Sequence, residues 1–189
     1  MGSHREFEWI ERLRRRIAAD PRVPVGVGDD AAVLRSSSRD WIVTTDMLVE
    51  GVHFDLASAS AKRIGWKAMA VNLSDVAAMA GTPAAAFLAL GLPPGREGLA
   101  EELWEGVEAA AREFDVVIAG GDTNASPAGL VVAVTLLGHP TGRGAVLRRG
   151  ARPGDAVCVT GRLGYSLGGK HLDFMPRVRE AAGLHACCE

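Results

Sequence analysis

Three stretches repeat apolar residues at helical spacing, and shorter apolar or β-branched runs between them read as strands. Residues 6–19 predict the first helix, with Phe7, Ile10, Leu13 and Ile17 on one stripe. Arg12, Arg14, Arg15 and Arg16 then fall mainly on the solvated face, and Asp20-Pro21 stops the helix. Residues 60–80 and 97–114 predict two more, the latter with Leu99, Leu103, Val107 and Ala110 inward. Strand-like runs occupy 41–45, 84–92, 116–119 and 130–137, and shorter apolar runs occupy 23–27 and 31–34. Beyond a Gly- and Pro-containing turn at 150–155, residues 156–160 predict another strand, followed by a glycine-rich stretch over 161–169. The alternation predicts an α+β (α/β) fold, a mixed β-sheet flanked by helices. One domain spans 1–150, and 151–189 reads as the beginning of a second, incomplete one.

Composition narrows the classes of partner. A hydrophobic fraction of 48% with 23% charged residues describes a globular chain. The formal net charge of -2 gives no reason to expect nucleic acid or an anionic membrane. Cys158, Cys187 and Cys188 make no disulfide framework and no zinc-type pair, so a reducing cytoplasmic setting is expected. The apolar runs fall short of a membrane span.

The acidic residues carry the chemistry. Asp29 and Asp30 follow 23–27, Asp46 follows 41–45, and Asp122 follows 116–121, so three apolar segments deliver carboxylates near their ends. Asp75 sits inside the second helix, where Asn72, Ser74 and Asp75 interrupt apolar neighbours. Unpaired burial of such groups costs about 1–3 kcal/mol each, so compensation is expected. Magnesium suits a convergence of carboxylates, because it takes hard oxygen ligands and leaves positions for phosphate and water. Thr44 and Thr45 stand ready to add oxygens. No phosphate-binding loop of the Gly-x-x-x-x-Gly-Lys type and no dinucleotide fingerprint occurs.

Taken in order, the segments 27–34 (VGDDAAVL), 44–54 (TTDMLVEGVHF), 67–79 (KAMAVNLSDVAAM), 120–123 (GGDT), 146–151 (VLRRGA) and 153–155 (PGD) resemble bacterial thiamine-monophosphate kinases. These belong to the ATP-binding superfamily named after aminoimidazole ribonucleotide synthetase, and the likeness runs from about residue 5 to 184. The resemblance implies metal ligands at Asp30, Thr45, Asp46, Asp75 and Asp122, with Thr44 beside them. It implies nucleotide contacts from Gly121, Asp122 and Arg148, and a thiamine-monophosphate contact from His53. Magnesium ions, ATP as co-substrate, and a homodimer paired through its sheets are implied as well.

Two departures stand out. Met79-Ala80-Gly81 carries its glycine one position later than the commoner Met-Gly-Ala order. An Asp-Ile-Ser-Asp-Gly-like motif, which the family places further on, is absent from these 189 residues, and the chain is expected to stop about where it would begin. Other readings are a non-catalytic module for nucleotide binding and dimerisation, selenophosphate synthetase, or a hydrogenase-maturation relative. Selenophosphate synthetase would need a reactive cysteine near the N-terminus, and none precedes Cys158.

Overall fold

The computed structural model describes residues 3–17, 19–96 and 98–187. Five strands form one sheet in the order β1-β2-β5-β3-β4. The strands are β1 (Ala32–Leu34), β2 (Trp41–Val49), β3 (Gly81–Leu92), β4 (Val117–Ala125) and β5 (Val131–Pro140). The sheet is mixed, as expected, and the connections explain why. β3 and β4 run parallel because helix α3 (Leu99–Glu113) crosses between them, whereas β1–β2, β2–β5 and β5–β3 are antiparallel.

Helix α2 (Ala61–Ala78) lies across one face of this sheet. Ile42, Leu48, Ala86, Leu88, Val132, Val134 and Leu136 alternate onto that face and are buried with Ile64, Met69, Leu73 and Val76 of α2. Ser60 caps the helix by accepting from the Arg63 amide. Helix α3 packs against α2 with Leu99, Leu103, Val107 and Ala110 buried, as its periodicity predicts. Two glycines set how closely the helices cross. A Cβ on Gly65 would fall 2.0 Å from the Leu103 carbonyl oxygen, and one on Gly106 would fall 1.8 Å from that of Lys62.

Several expectations need correction. Residues 156–160 form no strand and 150–168 run exposed; among the described residues no strand lies beside 156–160 to take up their backbone hydrogen bonds. Asp46 does not end its strand, which continues to Val49, and Asp122 lies inside β4. Residues 23–27 contribute only isolated bridges, including Val25 to Val33. Helix α1 (Ser3–Arg16) forms, yet Ile10 and Ile17 of its apolar stripe are exposed, and the side chains of Phe7 and Leu13 lie outside the described residues. Residues 18, 97 and 188, which also figured in the sequence reading, are outside them too.

The chain ends in two short helices, α4 (His171–Asp173) and α5 (Val178–Cys187), both packed on α2. Among the described residues no helix is long and apolar enough to cross a membrane.

Candidate functional site

Period-two alternation aims Thr44 and Asp46 at α2 from the middle of β2. There Thr44 Oγ1 donates to Asp75 Oδ2 at 2.8 Å, joining the sheet to the helix. Asp75 is half-buried, and its carboxyl is pushed up to about 6. Burial is the main cause; the charges of Asp46 and Asp30 add to it, while the Thr44 hydroxyl and Arg148 oppose it. Burial also raises the Asp46 carboxyl, offset in part by the nearby His53 ring. Asp75 on α2 therefore feels the charges of Asp46 on β2 and of Asp30 in the loop before β1.

One guanidinium answers them. Arg148 donates through Nη2 (2.5 Å) and Nε (3.1 Å) to Asp30 Oδ1, and its backbone amide donates to Asp29 Oδ1 at 2.7 Å. Asp29 was expected only as the neighbour of Asp30, and it proves to be the anchor of the 146–149 loop. Arg14, Arg148 and Arg149 line a cavity of about 390 Å³ together with residues 24–29.

Not every expected residue joins this cluster. Asp46 lies in the cross-strand row of Val134, Leu88 and Gly121, whereas Asp122 lies in the row of Met47, Ala133 and Ala89. Adjacent rows face opposite sides, so Asp122 is on the face away from α2, and three strand spacings separate β4 from β2, roughly 14 Å. Asp122 is exposed there and accepts from Asn124 Nδ2 at 2.9 Å. Thr45 shares that outer face and accepts from the Thr135 hydroxyl at 3.1 Å. Gly121 has a steric reason of its own: a Cβ would sit 1.9 Å from the Leu88 carbonyl oxygen. His53 occupies the exposed turn after β2, its Nδ1 accepting from the Val49 amide at 3.1 Å.

Among the described residues no three His, Cys, Asp or Glu side chains are preassembled as a metal cage. Asp30 is instead paired with Arg148, and Asp75 with Thr44. The donor set nevertheless fits a hard divalent cation. Asp46 and Asp75 both have raised carboxyl pKa values, and Asp30 beside them is paired with Arg148.

The expected polar interruption of α2 resolves into three cases. Ser74 is exposed, Asp75 is met by Thr44, and Asn72 is fully buried. Asn72 Nδ2 donates to the Ala68 carbonyl, and its Oδ1 has no partner. A further polar residue, Lys67, opens the segment 67–79 and is buried; a lysine beside Ile64, Ala68 and Met69 on an apolar helix is itself a signal.

The family described as AIR synthase related protein, N-terminal domain, matches residues 28–139. A thiamine-monophosphate kinase of Rhodopirellula baltica is 43% identical over 188 residues, covering 95% of this chain and 59% of the relative. One from Bacillus subtilis is 39% identical over 169 residues, covering 88% and 52%. A solved structure described as AaThiL complexed with AMPPCP and TMP superposes with a TM-score of 0.82 at 30% identity, covering 95% of this chain and 62% of that one. The chain thus spans roughly half to three fifths of the length of these relatives.

Proposed function

Because the chain belongs to the AIR synthase related family through the N-terminal domain, we propose that it is the ATP- and magnesium-binding part of a thiamine-monophosphate kinase. The observation that carries this reading is the meeting of Asp30, Asp46, Asp75, Thr44 and Arg148 at one end of α2. In the reaction, a phosphate oxygen of thiamine monophosphate bonds to the γ-phosphorus of ATP. The bond from that phosphorus to the bridging oxygen breaks, and ADP leaves with the electron pair. The acceptor is already an anion, so no strong base and no covalent enzyme intermediate is required.

The obstacle is bringing two polyanions together. Magnesium, when bound, supplies charge screening and a template for the phosphates. Asp30, Asp46 and Asp75 are the residues that would hold it, with Thr44 fixing the Asp75 carboxylate. Arg148 exchanges its Asp30 partner for nucleotide phosphate, which a bidentate guanidinium fork suits. Gly121 lets β4 approach β3 closely beneath the nucleotide. His53, close enough to weaken the burial effect on Asp46, contacts the acceptor. Thr45 and Asp122, expected as further metal ligands, lie on the opposite face of the sheet, outside the Asp75 cluster.

That face also supports the homodimer. Met47, Phe87 and Val117 are 57%, 43% and 66% exposed on it, an apolar surface suited to a second copy of the chain. The setting proposed is cytoplasmic.

The partial coverage of its relatives, 59% and 52% of their lengths, supports a second reading, a module that binds nucleotide and dimerises without turnover. ADP release measured with Mg·ATP, with and without thiamine monophosphate, separates the two. Release that depends on thiamine monophosphate is the expected result. Binding of AMPPCP without such release supports the module, and failure of both binding and turnover overturns both readings.

A further inference from the structure

Lys67 is 8% exposed in the middle of α2. An enclosed ammonium needs acceptors, and Lys67 has two from distant parts of the chain. Its Nζ donates to the His53 carbonyl oxygen at 2.6 Å and lies 2.9 Å from His171 Nδ1. An ammonium only donates, so Nδ1 accepts and the imidazole proton sits on Nε2. Burial holds the His171 pKa down, the charges of Lys67 and Arg63 add to this, and Asp173 opposes it, so the ring stays neutral toward Lys67.

His171 is held by more than this contact. Arg63 Nε donates to Asp173 Oδ1 at 2.8 Å, and its Nη2 reaches Asp173 Oδ2 and the Gly169 carbonyl. Trp66 Nε1 donates to the Phe174 carbonyl at 3.1 Å. Three positions within about one turn of α2, Arg63, Trp66 and Lys67, thus strap residues 169–174 along the helix. Of these, Lys67 also reaches across to the turn that carries His53. That turn has its own closure, Gly51 amide to Phe54 carbonyl at 2.8 Å and His53 amide to Val49 carbonyl at 3.0 Å. The His53 carbonyl takes no part in those two hydrogen bonds and accepts from Lys67 instead.

We propose that Lys67 is a positioning residue for the His53 turn, and that the 169–174 strap, through His171, holds Lys67 in place for this. The catalytic importance of the turn rests on the reading of His53 as the thiamine-monophosphate contact; the coupling itself does not.

Amide hydrogen exchange of the chain, wild type against Lys67→Met and His171→Ala, tests the coupling without substrate. In Lys67→Met the amides of Gly51 and His53 are expected to exchange about tenfold faster, while those of Val132 and Val134 in β5 stay within about twofold. His171→Ala, which leaves Lys67 in place, is expected to speed exchange in both 169–174 and 51–54. The proposal is overturned if Lys67→Met leaves the turn unchanged, if exchange rises uniformly across the fold, or if His171→Ala loosens the strap alone. If Lys67→Met fails to fold, His171→Ala decides the matter. With thiamine monophosphate and ATP as probes, Lys67→Met should raise the KM for thiamine monophosphate by about tenfold and that for ATP by less than about twofold. A wild-type chain inactive toward thiamine monophosphate would sink the kinase reading and leave the exchange result standing.

Discussion

Thr44 and Asp75, 31 residues apart, share a 2.8 Å hydrogen bond that ties the middle of β2 to α2. Thr44 is 6% exposed, so its hydroxyl has little access to water and serves the carboxylate directly. Thr44→Val keeps the shape and deletes the donor. Asp75 then loses a contact that lowers its pKa, and its carboxyl rises beyond about 6. Magnesium affinity at pH 6.5, read by calorimetry, is expected to fall about tenfold, the equivalent of one hydrogen bond to a charged group. The deficit should shrink at pH 8.5, where Asp75 is ionised in either chain.

Asp75 also makes stability depend on pH. Its folded pKa is raised from 3.8 to about 6, so the folded chain holds the proton more tightly than the unfolded one. The resulting contribution is complete below about pH 4 and is lost as pH climbs through about 6. Without added magnesium, Asp75→Asn should therefore gain Tm relative to wild type between pH 4 and pH 7. Added magnesium should reverse that order at pH 7 by stabilising the wild type alone. An unchanged difference across the range would contradict the electrostatic account.

Arg148 is an exposed partner of Asp30, and a surface pair of this kind contributes about 1 kcal/mol or less to folding. Its value lies in the phosphates. Arg148→Gln is expected to leave Tm nearly unchanged and to weaken AMPPCP binding by about tenfold to a hundredfold, the loss of a charge-assisted contact. A thermal scan and a titration on the same sample check both halves.

Ala80 and Gly81 behave oppositely. Ala80 has φ +50°, the left-handed region that suits glycine, and the commoner family order puts glycine there. A Cβ on Gly81 would fall 2.5 Å from Ile42 Cδ1 and 3.0 Å from Val76 Cγ1. Ala80→Gly relieves strain while losing a small buried methyl, so it should change stability by less than about 1 kcal/mol. Gly81→Ala should cost about 1–3 kcal/mol, because α2 and β2 must part to admit the methyl. Chemical denaturation of the two variants measures the contrast.

Much of this was written locally. The 3.6-residue period located α2 and α3 and picked Leu103, Val107 and Ala110 as core, because burying one face of a helix constrains each turn in the same way. The sequence marks Asp30, Asp46, Asp75 and Asp122 as one set; the fold brings the charges of Asp30 and Asp46 to bear on Asp75 and leaves Asp122 on the opposite face of the sheet. The strand expected at 156–160 failed for a non-local reason. A β-branched run becomes a strand only when another edge accepts its hydrogen bonds, and among the described residues none does so for 156–160.

By itself, the order of residues determined which segments are helix or strand-forming, that their carboxylates are candidates for a hard cation, and which family the motifs resemble. Tertiary structure decided the rest. Pairing register turned Thr44 and Asp46 toward α2 and left Thr45 and Asp122 on the opposite face. Helix crossing made Gly65 and Gly106 indispensable, and chain return brought His171 onto Lys67 across 104 residues. Propensity is a property of neighbours in sequence, whereas face, register and contact belong to partners the chain reaches only when folded.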